Sequence, residues 1–136
     1  MTTYYISASS QQDAQMKILI VEDNNKFRIT LRSLLKAPNY EIFDVETGEE
    51  GLQFAKSHSF DLLLVDLVLP GINGLDMLRE MRDAGNKFSV ILMSAYLTDG
   101  IRNKAQEYGV NEFLEKPFEI AELTKIIDNL FPAEGR

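Results

Sequence analysis

The chain has 136 residues, 45% of them apolar, with 8 Phe, 5 Tyr and only 4 Pro, which sets one domain with a core of its own and excludes a multidomain enzyme. Fourteen basic against 21 acidic residues leave a net charge of −7, which repels nucleic-acid phosphates and argues against direct nucleic-acid binding. With no Cys and 1 His, disulfides, thiolate metal centres and a Cys nucleophile are excluded.

Residues 1–15 are rich in Ser, Thr and Gln with no period that would bury a face, so a flexible N-terminal extension is expected there. They also lack the basic and apolar segments of a secretory signal, and no apolar run in the chain reaches the length of a membrane span, so a cytoplasmic protein with no membrane partner is expected. From Met16, short runs of Ile, Leu and Val alternate with segments of helical period, the pattern of repeated βα units around a parallel sheet. Strands are predicted at residues 17–21, 41–45, 61–65, 89–93 and 111–115, each too short for a core helix and flanked by breakers. Helices buried on one side are predicted from Phe27, Leu31, Leu34 and Leu35, then from Leu75, Leu78 and Met81, and last from Leu123, Ile126, Ile127 and Leu130. Thr47 followed by Glu50 reads as a capping box, and Gly85 and Gly109 sit where the third and fourth helices must end. The expected domain is residues 16–131, with 132–136 as a C-terminal tail.

In an open parallel sheet, ligands gather beyond the carboxyl ends of the strands. The residues at those ends are Glu22 and Asp23 after the first strand, Asp66 after the third, Ser94 after the fourth and Lys116 after the fifth. If the first and third strands are neighbours, three carboxylates converge. Two carboxylates about 4 Å apart repel by roughly 4 kcal/mol at an effective dielectric near 20, so something must offset them. Mg²⁺, which prefers hard oxygen ligands and keeps several waters, suits such a cluster. Taken singly, each acid has an ordinary reading as a turn or N-cap residue, Ser94 as a strand-end hydroxyl and Lys116 as a solvated charge. Together, hydroxyl and ammonium complement a tetrahedral dianion attached to Asp66 beside a metal.

The segments KILIVEDN, DLLLVDLVLPGINGLDML, VILMSAY and EFLEKPFE together resemble the receiver domain of two-component response regulators, over residues 16–131. The resemblance implies an α/β flavodoxin-like (βα)₅ fold, a doubly wound parallel five-stranded sheet of order 2-1-3-4-5. It implies a signalling switch rather than an enzyme: Asp66 accepts a phosphoryl group from a sensor histidine kinase or a phosphotransfer protein. Mg²⁺ is then held by Glu22 or Asp23, by Asp66 and by the main-chain carbonyl of Val68. Lys116 pairs with the phosphoryl oxygens, Ser94 bonds another of them, and Ser94 and Phe113 act as switch residues that relay the change to an output domain or effector. A homodimer through the face from the fourth to the fifth helix fits the same resemblance. Val68 and Tyr96 flank the entry to phosphorus in the family, and an apolar Val68 with a Tyr96 ring over the site predicts slow hydrolysis. Two alternatives stay open, a small Mg²⁺-dependent phosphatase and a receiver-like scaffold that works without phosphate. The first is disfavoured by the lack of a GxxxxGK[ST] or GxGxxG loop and the second by the retention of Asp23, Asp66 and Lys116. His58 reads as a surface histidine, and Arg102 and Lys104 as the solvated face of the fourth helix.

Overall fold

The computed structural model describes residues 16–132. The extension expected at 1–15 and the last four residues of the expected tail lie outside the described residues. Strands and helices alternate strictly: β1 (Met16–Val21), α1 (Asn25–Leu34), β2 (Tyr40–Val45), α2 (Gly48–Ser57), β3 (Leu62–Asp66), α3 (Gly74–Asp83), β4 (Ser89–Ser94), α4 (Asp99–Glu107), β5 (Glu112–Glu115) and α5 (Ile120–Leu130). All pairings are parallel and the order is β2-β1-β3-β4-β5.

Because strand side chains alternate between faces, each strand feeds two cores. Leu19, Val21, Leu63, Val65, Val90 and Leu92 pack with Phe54, Leu75, Met77, Leu78 and Met81 under α2 and α3. Ile18, Ile20, Leu62, Leu64, Ile91 and Met93 pack on the other side with Leu31, Leu35, Leu123 and Ile127 of α1, its C-cap and α5. The central strand β3 is buried along its whole length, the pattern of a parallel strand covered by helices on both sides. One expected core residue falls outside: Leu34 is 51% exposed, because the buried stripe of α1 runs through Arg28 and Leu31 to Leu35 and leaves residue 34 about 100° away from Leu35.

The helices start where the sequence offers a cap. Asn24, Thr47, Asn73 and Thr98 each accept the backbone N–H three residues on, and Thr47 with Glu50 completes the reciprocal box. Gly85 and Gly109 take φ of 91° and 84° just past α3 and α4, the left-handed geometry that ends a helix cheaply only at glycine. No helix among the described residues is long and apolar enough to cross a membrane.

Candidate phosphoryl-acceptor site

β1 has β2 on one side and β3 on the other, so the chain connections leave in opposite directions between β1 and β3 and open a crevice at their carboxyl ends. Val21 is the register partner of Val65, which places Glu22 and Asp23 beside Asp66. One carboxylate oxygen from each of the three lies within 4.8 Å of the others. None of these acids is a helix cap, since Asn24 and Asn73 do that work for α1 and α3. Glu22 and Asp66 do each accept a local backbone N–H, from Asn24 at 3.0 Å and from Val68 at 3.0 Å.

Lys116 reaches into the cluster from the end of β5. Its Nζ donates to Glu22 Oε1 and to Asp66 Oδ2, both at 2.7 Å. Its backbone N–H is bonded to the Ser94 carbonyl at 2.9 Å, and the Lys116–Pro117 peptide is cis. Glu22 is 1% exposed. Burial holds its carboxyl above the usual carboxylate range, and the hydrogen bonds from Lys116 and Asn24 only partly oppose this. For Lys116, burial pulls the ammonium's pKa down, but the bonds to Asp66 and Glu22 more than reverse that and leave it above the usual lysine value. The ammonium is therefore fully charged at neutral pH. Asp23 stays exposed at the rim.

Ser94 ends β4 one residue beyond Met93, the register partner of Asp66, and is 1% exposed. Its Oγ accepts the Tyr96 N–H at 3.0 Å. Phe113 is half-buried on β5, opposite Leu92. Val68 and Tyr96 are 64% and 73% exposed. The Tyr96 side chain is thus mostly open to solvent. The start of α3 presses on Asp66 from behind: a Cβ on Gly74 would collide with the main-chain carbonyl of Asp66, so only glycine permits this approach.

Three contacts were not anticipated. Arg28 is buried and donates to Asp44 Oδ2 at 2.8 Å, to Glu46 Oε1 at 3.2 Å and to the main-chain carbonyl of Glu22 at 3.0 Å, tying the acidic loop to the end of β2. The signal was present, since Arg28 stands on the apolar stripe of α1 and Asp44 inside a strand, where an unpaired charge is not tolerated. Arg102, read as solvated, lies over the Phe113 ring at 5.0 Å from its centroid. Phe27, counted as helix core, lies under the Lys116 ammonium. His58, at the C-cap of α2, is exposed and stacks on Phe54.

The donor set fits Mg²⁺: clustered hard oxygens, one buried and one exposed carboxylate beside Asp66, with no soft ligand.

The model of the response regulator receiver domain matches residues 18–128. The probable transcriptional regulatory protein SilR of Salmonella typhimurium is 38% identical over 108 residues, 79% of this chain and 47% of that protein. The transcriptional regulatory protein CusR of Escherichia coli K12 is 35% identical over 108 residues, 79% of this chain and 48% of that protein. The chain spans about half the length of the curated relatives it matches. Among solved structures, the signal receiver domain of a LuxO repressor protein from Vibrio parahaemolyticus superposes with a TM-score of 0.80 at 30% identity, covering 85% of this chain and 88% of that one. The receiver domain of the sensor histidine kinase PA1611 from Pseudomonas aeruginosa, with a magnesium ion coordinated in its active site cleft, gives 0.75 at 30% identity, over 85% of this chain and 97% of that one. With its sheet order, its acid cluster and these matches, the chain belongs to the response regulator receiver domain family of two-component systems.

Proposed function

We propose that this receiver accepts a phosphoryl group on Asp66 from a histidine kinase or phosphotransfer protein and passes the change to an output domain or effector. The observation that carries this reading is the Lys116 ammonium held at 2.7 Å from both Glu22 and Asp66. It is a fixed cation beside a carboxylate that keeps 12% of its side chain open to solvent. Transfer forms a bond from an Asp66 carboxylate oxygen to phosphorus and breaks the P–N bond of the phosphohistidine, whose imidazole leaves with the electron pair. The protein's share is positioning and charge neutralisation. The Val68 N–H and Lys116 orient the Asp66 carboxylate. Lys116 then follows the new negative charge out to the phosphoryl oxygens, where the Ser94 hydroxyl donates a second bond.

Glu22, Asp23, Asp66 and the Val68 carbonyl would hold Mg²⁺, which when bound neutralises charge on the transferring group. Drawing Ser94 inward on phosphorylation vacates space that Phe113 fills, shifting the α4 and β5 face toward its partner-binding form. Phe113 has no hydroxyl, so this switch rests on packing and on its contact with Arg102. The role in transcription that the relatives' names carry belongs to longer proteins, of which this chain spans about half.

Incubation with Mg²⁺ and acetyl phosphate, followed by intact-mass analysis, tests the reading. One phosphoryl adduct is expected on the wild type and none on Asp66→Asn. An adduct that survives in the variant, or none on either, refutes it.

A further inference from the structure

The Lys116 ammonium has three N–H donors, and the two short bonds to Glu22 and Asp66 account for two directions. A third side is closed by the face of Phe27, whose ring centroid is 4.4 Å from Nζ. That ring is itself held from two directions. Its backbone N–H is bonded to the Asn24 cap at 2.9 Å, and its ring meets Phe118 edge to face at 5.8 Å and 85°. Phe118 lies two residues after Lys116, so the pair of rings bridges the first turn of α1 to the loop that carries the lysine.

Packing alone does not require an aromatic side chain here. Phe27 is only half-buried, and a leucine would continue the apolar stripe of α1. An aromatic ring adds a negative π-face, which attracts a cation most strongly where water is excluded. It also offers no directional lone pair. An ammonium over a ring can therefore turn its N–H groups from a carboxylate to newly arrived phosphoryl oxygens without giving up the contact.

We propose that Phe27 is a positioning residue for Lys116, its π-face fixing the ammonium between Glu22 and Asp66 and keeping it over the same support as it moves to the phosphoryl group. The role rests on the phosphoryl-transfer reading of Asp66, while the contact itself belongs to the protein without phosphate or metal.

The test compares Phe27→Leu and Phe27→Met, which keep apolar bulk, with Phe27→Tyr, which keeps the ring. The first readout is the ¹H shift of the Lys116 ε-methylene in unphosphorylated, metal-free protein. An upfield ring-current displacement is expected in the wild type and Phe27→Tyr and its loss in the other two. The second is the rate of Asp66 labelling by acetyl phosphate with Mg²⁺. Loss of the ring is expected to slow it roughly 3- to 10-fold, with Phe27→Tyr recovering the rate. Equal labelling rates in all four proteins, or equal slowing in all three variants, overturns the positioning role. If the wild type is not labelled on Asp66, the phosphoryl-transfer reading fails and the role falls with it, while the ring-current shift still reports whether the contact exists.

Discussion

Replacing Lys116 by methionine keeps a long unbranched side chain and removes the only ammonium bonded to the acid cluster among the described residues. Glu22, 1% exposed, is then left facing Asp66 with carboxylate oxygens no more than 4.8 Å apart. At an effective dielectric of about 20, two charges at that separation repel by about 3.5 kcal/mol. The same order, about 3 to 5 kcal/mol, is typical for removing one partner of a buried ion pair. Lys116 itself keeps 21% of its side chain exposed, which places the loss at the lower end. At about 3 kcal/mol, and about 4 °C per kcal/mol for a domain of this size, Tm falls by about 12 °C. The sign with pH follows from the shifts. Lys116, held above its usual pKa, contributes fully through neutral pH and loses its contribution only in the alkaline range, as the ammonium deprotonates. Glu22, already raised by burial, rises further once the ammonium is gone. Its ionisation therefore costs stability as pH rises, and protonation relieves the variant as pH falls toward the ordinary carboxylate range of about 4. Thermal unfolding followed by circular dichroism, with a chelator at about pH 8 and again at about pH 5, should show a deficit that shrinks in acid. Added Mg²⁺ at the higher pH should recover part of it. A variant within about 1 kcal/mol of wild type at pH 8, or a deficit unchanged by acid, would refute the claim that Lys116 neutralises a crowded acid cluster.

Arg28→Met removes the tie between the acidic loop and β2 but leaves Asp44 its second partner, Arg32, at 2.8 Å. A loss of about 2 kcal/mol is expected, below the usual figure for an orphaned buried charge, seen as a lower urea midpoint with an unchanged slope. Gly74→Ala drives a Cβ into the Asp66 carbonyl, where backbone cannot yield cheaply. It should cost about 1 to 3 kcal/mol in the same assay and, on the proposed function, slow labelling by acetyl phosphate, since the Asp66 backbone is displaced. Val68→Asn puts a polar group at the exposed rim of the site, where it can orient a water. Dephosphorylation should accelerate about tenfold, less than the roughly 100-fold of a positioned general base, and an unchanged decay rate removes Val68 from the account of acyl-phosphate lifetime.

Periodicity marked the five strands and α1, α3 and α5, because a parallel strand buried on both faces must be a short apolar run and those helices show one apolar stripe; α2 and α4 were marked instead by the Thr47 capping box and by Gly109. Breakers and caps such as Thr47, Gly85 and Gly109 marked the ends for reasons local to the backbone. The polar residues that close the apolar runs, Glu22, Asp66 and Ser94, were legible for the same reason: a strand end exposes whatever follows the core. Spacing along the chain carries no information about which charges meet across it. That Lys116 lies against both Glu22 and Asp66, that Arg28 holds the Glu22 carbonyl, and that Phe27 serves the lysine as well as the core were decided by sheet order and by the crevice between β1 and β3. The turn of α1 decided Leu34 against its hydropathy. The contacts of Lys116 with Glu22, Asp66 and Phe27 join elements far apart in sequence, where packing geometry rather than residue type sets the partner.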